Sequence, residues 1–175
     1  ILIGDNAIVL LTPVFIITTN DVDSVTFVVL GGADTLSGGS GRDVLIGGAG
    51  GDTLTGGADA DVLIGDQGIY TVEKYETQSF VDGGGNSIGG GQDTLTGEDG
   101  NDVVLGGDDQ DTINGNDGDD ILLGDNGQIT RDATGASDLT ADSNQVTKGD
   151  NDTINGGAGD DVIFGGTLVD TISGG

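Results

Sequence analysis

An all-β solenoid is the fold class this sequence predicts, on three observations. A nine-residue unit recurs, an apolar residue stands two places after one aspartate in every unit, and the residues flanking that apolar position alternate in character from one unit to the next. A fixed short period of this kind marks a chain that stacks identical pieces of structure rather than folding around one irregular core. Glycine supplies 37 of the 175 residues and proline one, which excludes collagen and proline-rich linkers.

The unit is plainest at residues 38–46 (GGSGRDVLI), 47–55 (GGAGGDTLT) and 156–164 (GGAGDDVIF). Aligning the chain on the sixth-position aspartate gives eleven rows, at Asp34, Asp43, Asp52, Asp61, Asp93, Asp102, Asp111, Asp120, Asp152, Asp161 and Asp170. The residue two places on is always Leu, Ile or Val, from Leu36 to Ile172. Glycine suits the hexapeptide because it reaches positive φ and allows close backbone approach. The three residues that follow run extended, so the middle one points inward and its neighbours outward.

These rows resemble the RTX (repeats-in-toxin) family, whose motif is G-G-x-G-x-D followed by x, a large apolar residue and x. The resemblance implies a right-handed parallel β-roll in which two rows make one 18-residue coil and successive turns lie on opposite edges. It also implies calcium, held between turns one coil apart by their aspartates and backbone carbonyls, and a secreted bacterial protein exported by the type I route. By register, one edge then carries Asp34, Asp52, Asp93, Asp111, Asp152 and Asp170, and the other Asp43, Asp61, Asp102, Asp120 and Asp161. Backbone ligands are expected at Gly39, Gly41, Gly48, Gly50, Gly100, Gly118, Gly157 and Gly159. Adjacent pairs along the two edges would hold up to about nine ions on this oxygen-ligand pattern. Five residues break the glycine pattern: Glu98 and Asn116 at the second position, Asp59, Asp109 and Leu168 at the fourth. Leu168 weakens its turn most, and the turns interrupted by inserts are expected to be distorted.

The 18-residue coil can be tested against the residues that flank the inward position. Thr35 and Ser37 are followed by Val44 and Ile46, then Thr53 and Thr55, then Val62 and Ile64, and the alternation runs to Thr171 and Ser173. It keeps phase across two inserts of about 20 residues, so each insert stands in for a single turn. The rows come in blocks of four, 59 residues apart, and every insert follows a similar phrase: ILIGDNA (1–7), VLIGDQG (62–68) or ILLGDNG (121–127). An even number of rows between inserts places all inserts on one edge. The organisation is therefore one continuous solenoid of three blocks, 1–64, 65–123 and 124–175.

One outer face carries a ladder of threonines, which suits a wet strand surface. The other is apolar: Val44, Ile46, Val62, Ile64, Val103, Leu105, Ile121, Leu123, Val162 and Phe164, with Ile1 and Ile3 in phase. Such a face requires cover. The candidates are the inserts, chiefly the apolar runs within 7–28 and 69–81, or a second copy of the chain. The third insert, 128–146, is polar and reads as a loop.

Composition sets the remaining bounds. Net charge is −27, from 31 acidic against four basic residues, which excludes nucleic acid as a partner and favours multivalent cations. No Cys, His, Met or Trp is present, so thiol nucleophiles, imidazole bases and the usual zinc sites are excluded, and no acid pair stands apart from the repeat as a catalytic dyad. The longest apolar stretch, residues 7–17, is broken by Thr12 and Pro13 and is too short to span a bilayer. One inward residue per row makes a thin core against the entropy of ordering the chain, so metal binding must contribute to folding. Weak calcium sites fill outside the cell, which points to an extracellular or cell-surface location. The expected role is a calcium-dependent structural segment, with a folding and secretion module of an enzyme or toxin, or an adhesive or ice-binding solenoid, as alternatives. Residue 1 falls inside a row and no cap is visible at either end, which predicts end-to-end contact into a rod or filament.

Overall fold

Three extended residues per row can satisfy their backbone groups only against the same residues one coil away, and the strands pair that way. The computed structural model describes residues 32–66, 90–131 and 149–175, and outside them the strands Asn6–Leu11, Val14–Thr19, Val25–Thr26, Gly68–Tyr70, Lys74–Thr77, Phe80–Val81, Ser87–Ile88 and Ser137–Asp138. Among the described residues there is no helix, and hence none long and apolar enough to cross a membrane.

The polar-faced sheet stacks Thr35–Ser40, Thr53–Ala58, Thr94–Asp99, Thr112–Asp117, Thr153–Ala158 and Thr171–Ser173 in parallel. Its register pairs Thr35 with Thr53, Thr53 with Thr94, and so on to Thr171. The apolar-faced sheet stacks Asp43–Ile46, Val62–Ile64, Val103–Gly107, Ile121–Asp125 and Val162–Phe164, also in parallel. Both registers are those of an 18-residue coil with inserts spliced in. Between the sheets lies the inward ladder of Leu36, Leu45, Leu54, Leu63, Leu95, Val104, Ile113, Leu122 and Ile154, all buried, with Ile163 partly so. The last inward residue, Ile172, is 50% exposed.

The second insert leaves after Val62–Ile64 and the third after Ile121–Asp125, both from the apolar-faced sheet, and each returns to a strand of the polar-faced one. They share one edge, as the row count requires. The inserts then build a sheet of their own, with neighbours in the order Ser137–Asp138, Gln128–Arg131, Lys74–Thr77, Gly68–Tyr70, Val25–Thr26, every pair antiparallel. Ile129 and Tyr70 of this layer pack with Val44, Ile46, Val62, Ile64, Val103, Leu105, Ile121 and Leu123 in a second core. The chain thus covers most of its own apolar face. Val162 and Phe164 at the far end remain 41% and 38% exposed.

Three expectations need correction. The third insert is not a plain loop: Gln128–Arg131 is a strand, and Ile129 is fully buried in the second core. The first insert does not lie over the apolar face with its leading strands. Asn6–Leu11 and Val14–Thr19 form an antiparallel hairpin, and the latter pairs antiparallel to Asp43–Ile46, matching Ile17 with Val44. This hairpin extends the sheet in its own plane, on the side where periodicity would stack residues 1–3, and makes Asn6–Leu11 its outermost strand. The expectation that a bare row of the repeat ends the roll on that side therefore needs correction for the apolar-faced sheet. Ile1 and Ile3 themselves lie outside the described residues.

Candidate metal sites

The turn geometry follows from the glycine pattern. Second-position Gly39, Gly48, Gly57, Gly107, Gly157 and Gly166 all have positive φ, as do fourth-position Gly41, Gly50, Gly100, Gly118 and Gly159. The five residues that break the motif obey the same geometry, with φ of 77° at Glu98, 80° at Asn116, 78° at Asp59, 70° at Asp109 and 71° at Leu168. The coil imposes the left-handed conformation even where a side chain opposes it. Leu168 accordingly strains its turn without abolishing it.

First-position glycines answer to a different constraint. A Cβ on Gly56 would lie 2.5 Å from Asp61 Oδ2 and 2.9 Å from the carbonyl oxygen of Gly97, one coil on. Gly38, Gly97, Gly106, Gly115 and Gly124 are crowded in the same way by a carboxylate oxygen and a carbonyl oxygen. Each turn is a cradle that two oxygens enter from different coils. Of the expected backbone ligands, Gly39, Gly50, Gly100, Gly118 and Gly157 turn their carbonyls toward the next coil, where each would collide with a Cβ on the glycine it faces. Gly41, Gly48 and Gly159 occupy the same two motif positions.

The sixth-position aspartates form two ladders, one on each predicted edge. On the first, the N–H of Asp34 donates to Oδ1 of Asp52 (2.8 Å), Asp52 to Asp93 (2.7 Å), Asp93 to Asp111 (2.9 Å), Asp111 to Asp152 (2.9 Å) and Asp152 to Asp170 (3.0 Å). On the second, Asp43 donates to Asp61 (2.8 Å), Asp61 to Asp102 (2.8 Å), Asp102 to Asp120 (2.8 Å) and Asp120 to Asp161 (3.0 Å). The pairs Asp52–Asp93 and Asp111–Asp152, expected to be distorted by inserts, keep the geometry of the uninterrupted ones.

These bonds use one carboxylate oxygen each. Oδ2 of Asp34, Asp43, Asp52, Asp61, Asp93, Asp102, Asp111, Asp120, Asp152 and Asp161 is buried with no hydrogen-bond partner. An unpaired buried charge of this kind is expensive. Burial accordingly pushes the carboxyls of Asp52, Asp61, Asp102 and Asp120 up to about 6, Asp152 to about 7, Asp93 to about 8 and Asp111 to about 9. The ladder hydrogen bond opposes the rise in each case, and neighbouring aspartates add to it. Asp43 is also raised by burial. A hard divalent cation would satisfy these oxygens, because calcium takes six to eight oxygen ligands in flexible geometry. Among the described residues no three acidic side chains converge on one point, so backbone oxygens must complete each shell. The residues present fit calcium on those terms.

The sequence matches the RTX calcium-binding nonapeptide repeat in four copies, at residues 28–63, 37–72, 97–128 and 146–172. The chain belongs to the RTX calcium-binding repeat family. The matches cover both aspartate ladders almost completely and leave out much of each insert, which is where the nine-residue period stops. No curated protein and no solved structure matches the chain. RTX repeats bind calcium, and the buried carboxylate ladders are consistent with that chemistry.

One group of residues escaped the sequence reading. Asp66, Asp125 and Asn126 are buried in the turns where inserts leave the roll, and Asp108 is buried in the uninterrupted turn one coil on from Asp66. The shared G-D phrase before each insert was the available signal, since an acid there replaces the second glycine of a turn.

Proposed function

We propose that this chain is a calcium-folded structural segment of a larger secreted or cell-surface protein. The carrying observation is the row of ten buried Oδ2 atoms without partners, set at one-coil intervals on two edges. Calcium shared between consecutive aspartates of each ladder, with first-, second- and fourth-position carbonyls in the shell, would neutralise them. Nine consecutive pairs give an upper bound of about nine ions on this pattern. The acids are engaged in the ladders, so the role is structural rather than catalytic. Because the folded state alone presents the paired oxygens, binding drives folding, and sites of about 10⁻⁴–10⁻³ M would fill outside the cell.

The test is far-UV circular dichroism of the chain with and without millimolar calcium. Sheet signal that appears on calcium addition and is reversed by chelator supports the reading. Full structure in excess chelator overturns it.

Val162, Phe164 and Ile172 are exposed on the last strands of the described rows, which supports a second element of the same reading: this edge receives a further coil, from the same protein or from a second copy. Two parallel strands there, Val162–Phe164 and Thr171–Ser173, are the last of their sheets, and open strand edges pair with other strands. Sedimentation in millimolar calcium distinguishes the cases: concentration-dependent association supports stacking, and a monomer at all concentrations rejects it.

A further inference from the structure

The insert layer leaves one face of the roll open. Its strands pack on the apolar-faced sheet, where Ile129 and Tyr70 join the second core. On the opposite side Thr35, Thr53, Thr94, Thr112, Thr153 and Thr171 are all exposed, and the register sets each one beside the next. Two residues along each strand, on the same face, stand Ser37, Thr55, Thr96, Asn114, Asn155 and Ser173, again in register.

Solvation alone does not account for these two columns. Charged residues make up 20% of the chain, yet none occurs at the twelve positions. Opposite charges on neighbouring strands would serve a wet sheet as well as hydroxyls do. The first column is instead Thr in every row. Branching at Cβ leaves Thr few side-chain conformations, so its hydroxyl recurs at a fixed place on each strand. The result is an uncharged, stiff and periodic surface on an otherwise strongly acidic molecule.

Spacing decides what such a surface fits. Neighbouring strands lie about 4.8 Å apart, so the hydroxyls recur at that interval along the roll. Water oxygens that each bond at about 2.75 Å to a shared tetrahedral neighbour are about 4.5 Å apart. The two repeats agree to within a few tenths of an ångström per strand. Organic ligands are held mainly by concave apolar and aromatic linings, and no aromatic residue stands in either column. We propose that the polar-faced sheet binds the surface of ice. Ice presents oxygens at this interval over an extended area, so each further strand adds contacts in register. The inference assigns a ligand to a face that calcium does not use, and it rests on the folded roll.

Thermal hysteresis of the whole chain in millimolar calcium, read together with the shape of ice crystals grown in it, tests the assignment. The parent should hold the freezing point below the melting point and facet the crystals, and chelator should abolish both effects along with the sheet signal. Thr112→Lys, near the middle of the face, should lose most of the hysteresis with unchanged far-UV circular dichroism in calcium. Val169→Lys adds the same charge at an exposed turn residue off the face and should keep it. A folded, calcium-bound parent without hysteresis or faceting overturns the inference and leaves the calcium reading standing, as does a Thr112→Lys variant as active as Val169→Lys. Retention on an insoluble neutral polysaccharide such as cellulose, with no effect on ice, overturns it in favour of glycan. If sheet signal and ice activity both persist in chelator, the calcium reading falls and this one stands.

Discussion

The N–H of Asp111 donates to Oδ1 of Asp152 across 2.9 Å, although 41 residues separate the two along the chain. The same bond joins Asp93 to Asp111, 18 residues apart, at the same distance. Splicing an insert into the turn leaves the contact unaltered, so the ladder is defined by stacking of coils and not by continuity of chain. Removing the charge at one rung should therefore have a local and predictable effect.

Asp111→Asn keeps the Oδ1 acceptor and removes the buried charge. Without calcium at pH 8 this should favour the folded chain, since an unpaired buried carboxylate is lost. With calcium the variant should bind fewer ions and gain less stability than the parent. Thermal melts in chelator and in calcium measure both arms, and a variant weaker than the parent in both would contradict the ladder as a metal site.

The raised carboxyls make a pH prediction with a definite sign. Their folded values lie at about 6 to 9, above the ordinary value of about 3.9 for an unfolded aspartate. The folded state then binds protons more tightly, so the contribution is fully present below about pH 4 and is lost as pH rises through 6 to 9. Calcium-free chain should gain sheet structure on moving from pH 8 to pH 5. Calcium should bind more weakly over the same descent and should release protons when added near neutrality. Titration calorimetry in buffers of different ionisation enthalpy reads that release, and a buffer-independent heat would argue against it.

Val103 is buried under the insert layer, whereas Thr112 faces outward on the polar sheet. Val103→Asp should cost roughly 3 kcal/mol or more in calcium-saturated protein, against about 0.5 kcal/mol for Thr112→Asp. Ile129→Ala should cost about 2–5 kcal/mol, as truncation of a fully buried residue does. Denaturant melts would reveal small effects at Val103 and Ile129 if the layer does not hold.

Leu168 is 69% exposed and held at positive φ. Leu168→Gly should stabilise the chain by about 1 kcal/mol, because the left-handed conformation costs a side-chain-bearing residue about 1–2 kcal/mol and glycine little. Loss of stability on this substitution would show that the side chain makes a contact worth more than its strain.

The ladders, their division between two edges and the side from which the inserts leave were all legible in the sequence, because each follows from an unbroken period counted in rows. The period also identified Glu98, Asn116, Asp59, Asp109 and Leu168 as the strained positions. What the sequence concealed lies where the period stops. Ile129 stands between Gln128 and Thr130, with Arg131 next, and carries no pattern by itself. Its burial depends on pairing with Lys74–Thr77, far along the chain. The hairpin of Asn6–Leu11 and Val14–Thr19 was readable as apolar strands, but nothing local says that such a pair prefers a sheet edge to a sheet face. Asp66 and Asp125 were visible only as part of a recurring phrase.

The antiparallel seat of Val14–Thr19 against Asp43–Ile46 gives the rod an arrow. Every later strand of that sheet runs in one direction, and each offers the next coil a parallel template in matching register. Only the hairpin's inner strand breaks that rule: Val14–Thr19 runs against the coils, whereas Asn6–Leu11, antiparallel to it, runs with them again. The two margins of this sheet are therefore unlike, one finishing on a local reversal of the chain and the other on a strand of the repeat, Val162–Phe164. A coil laid against the second would find its own pattern continued, and a coil laid against the first would not.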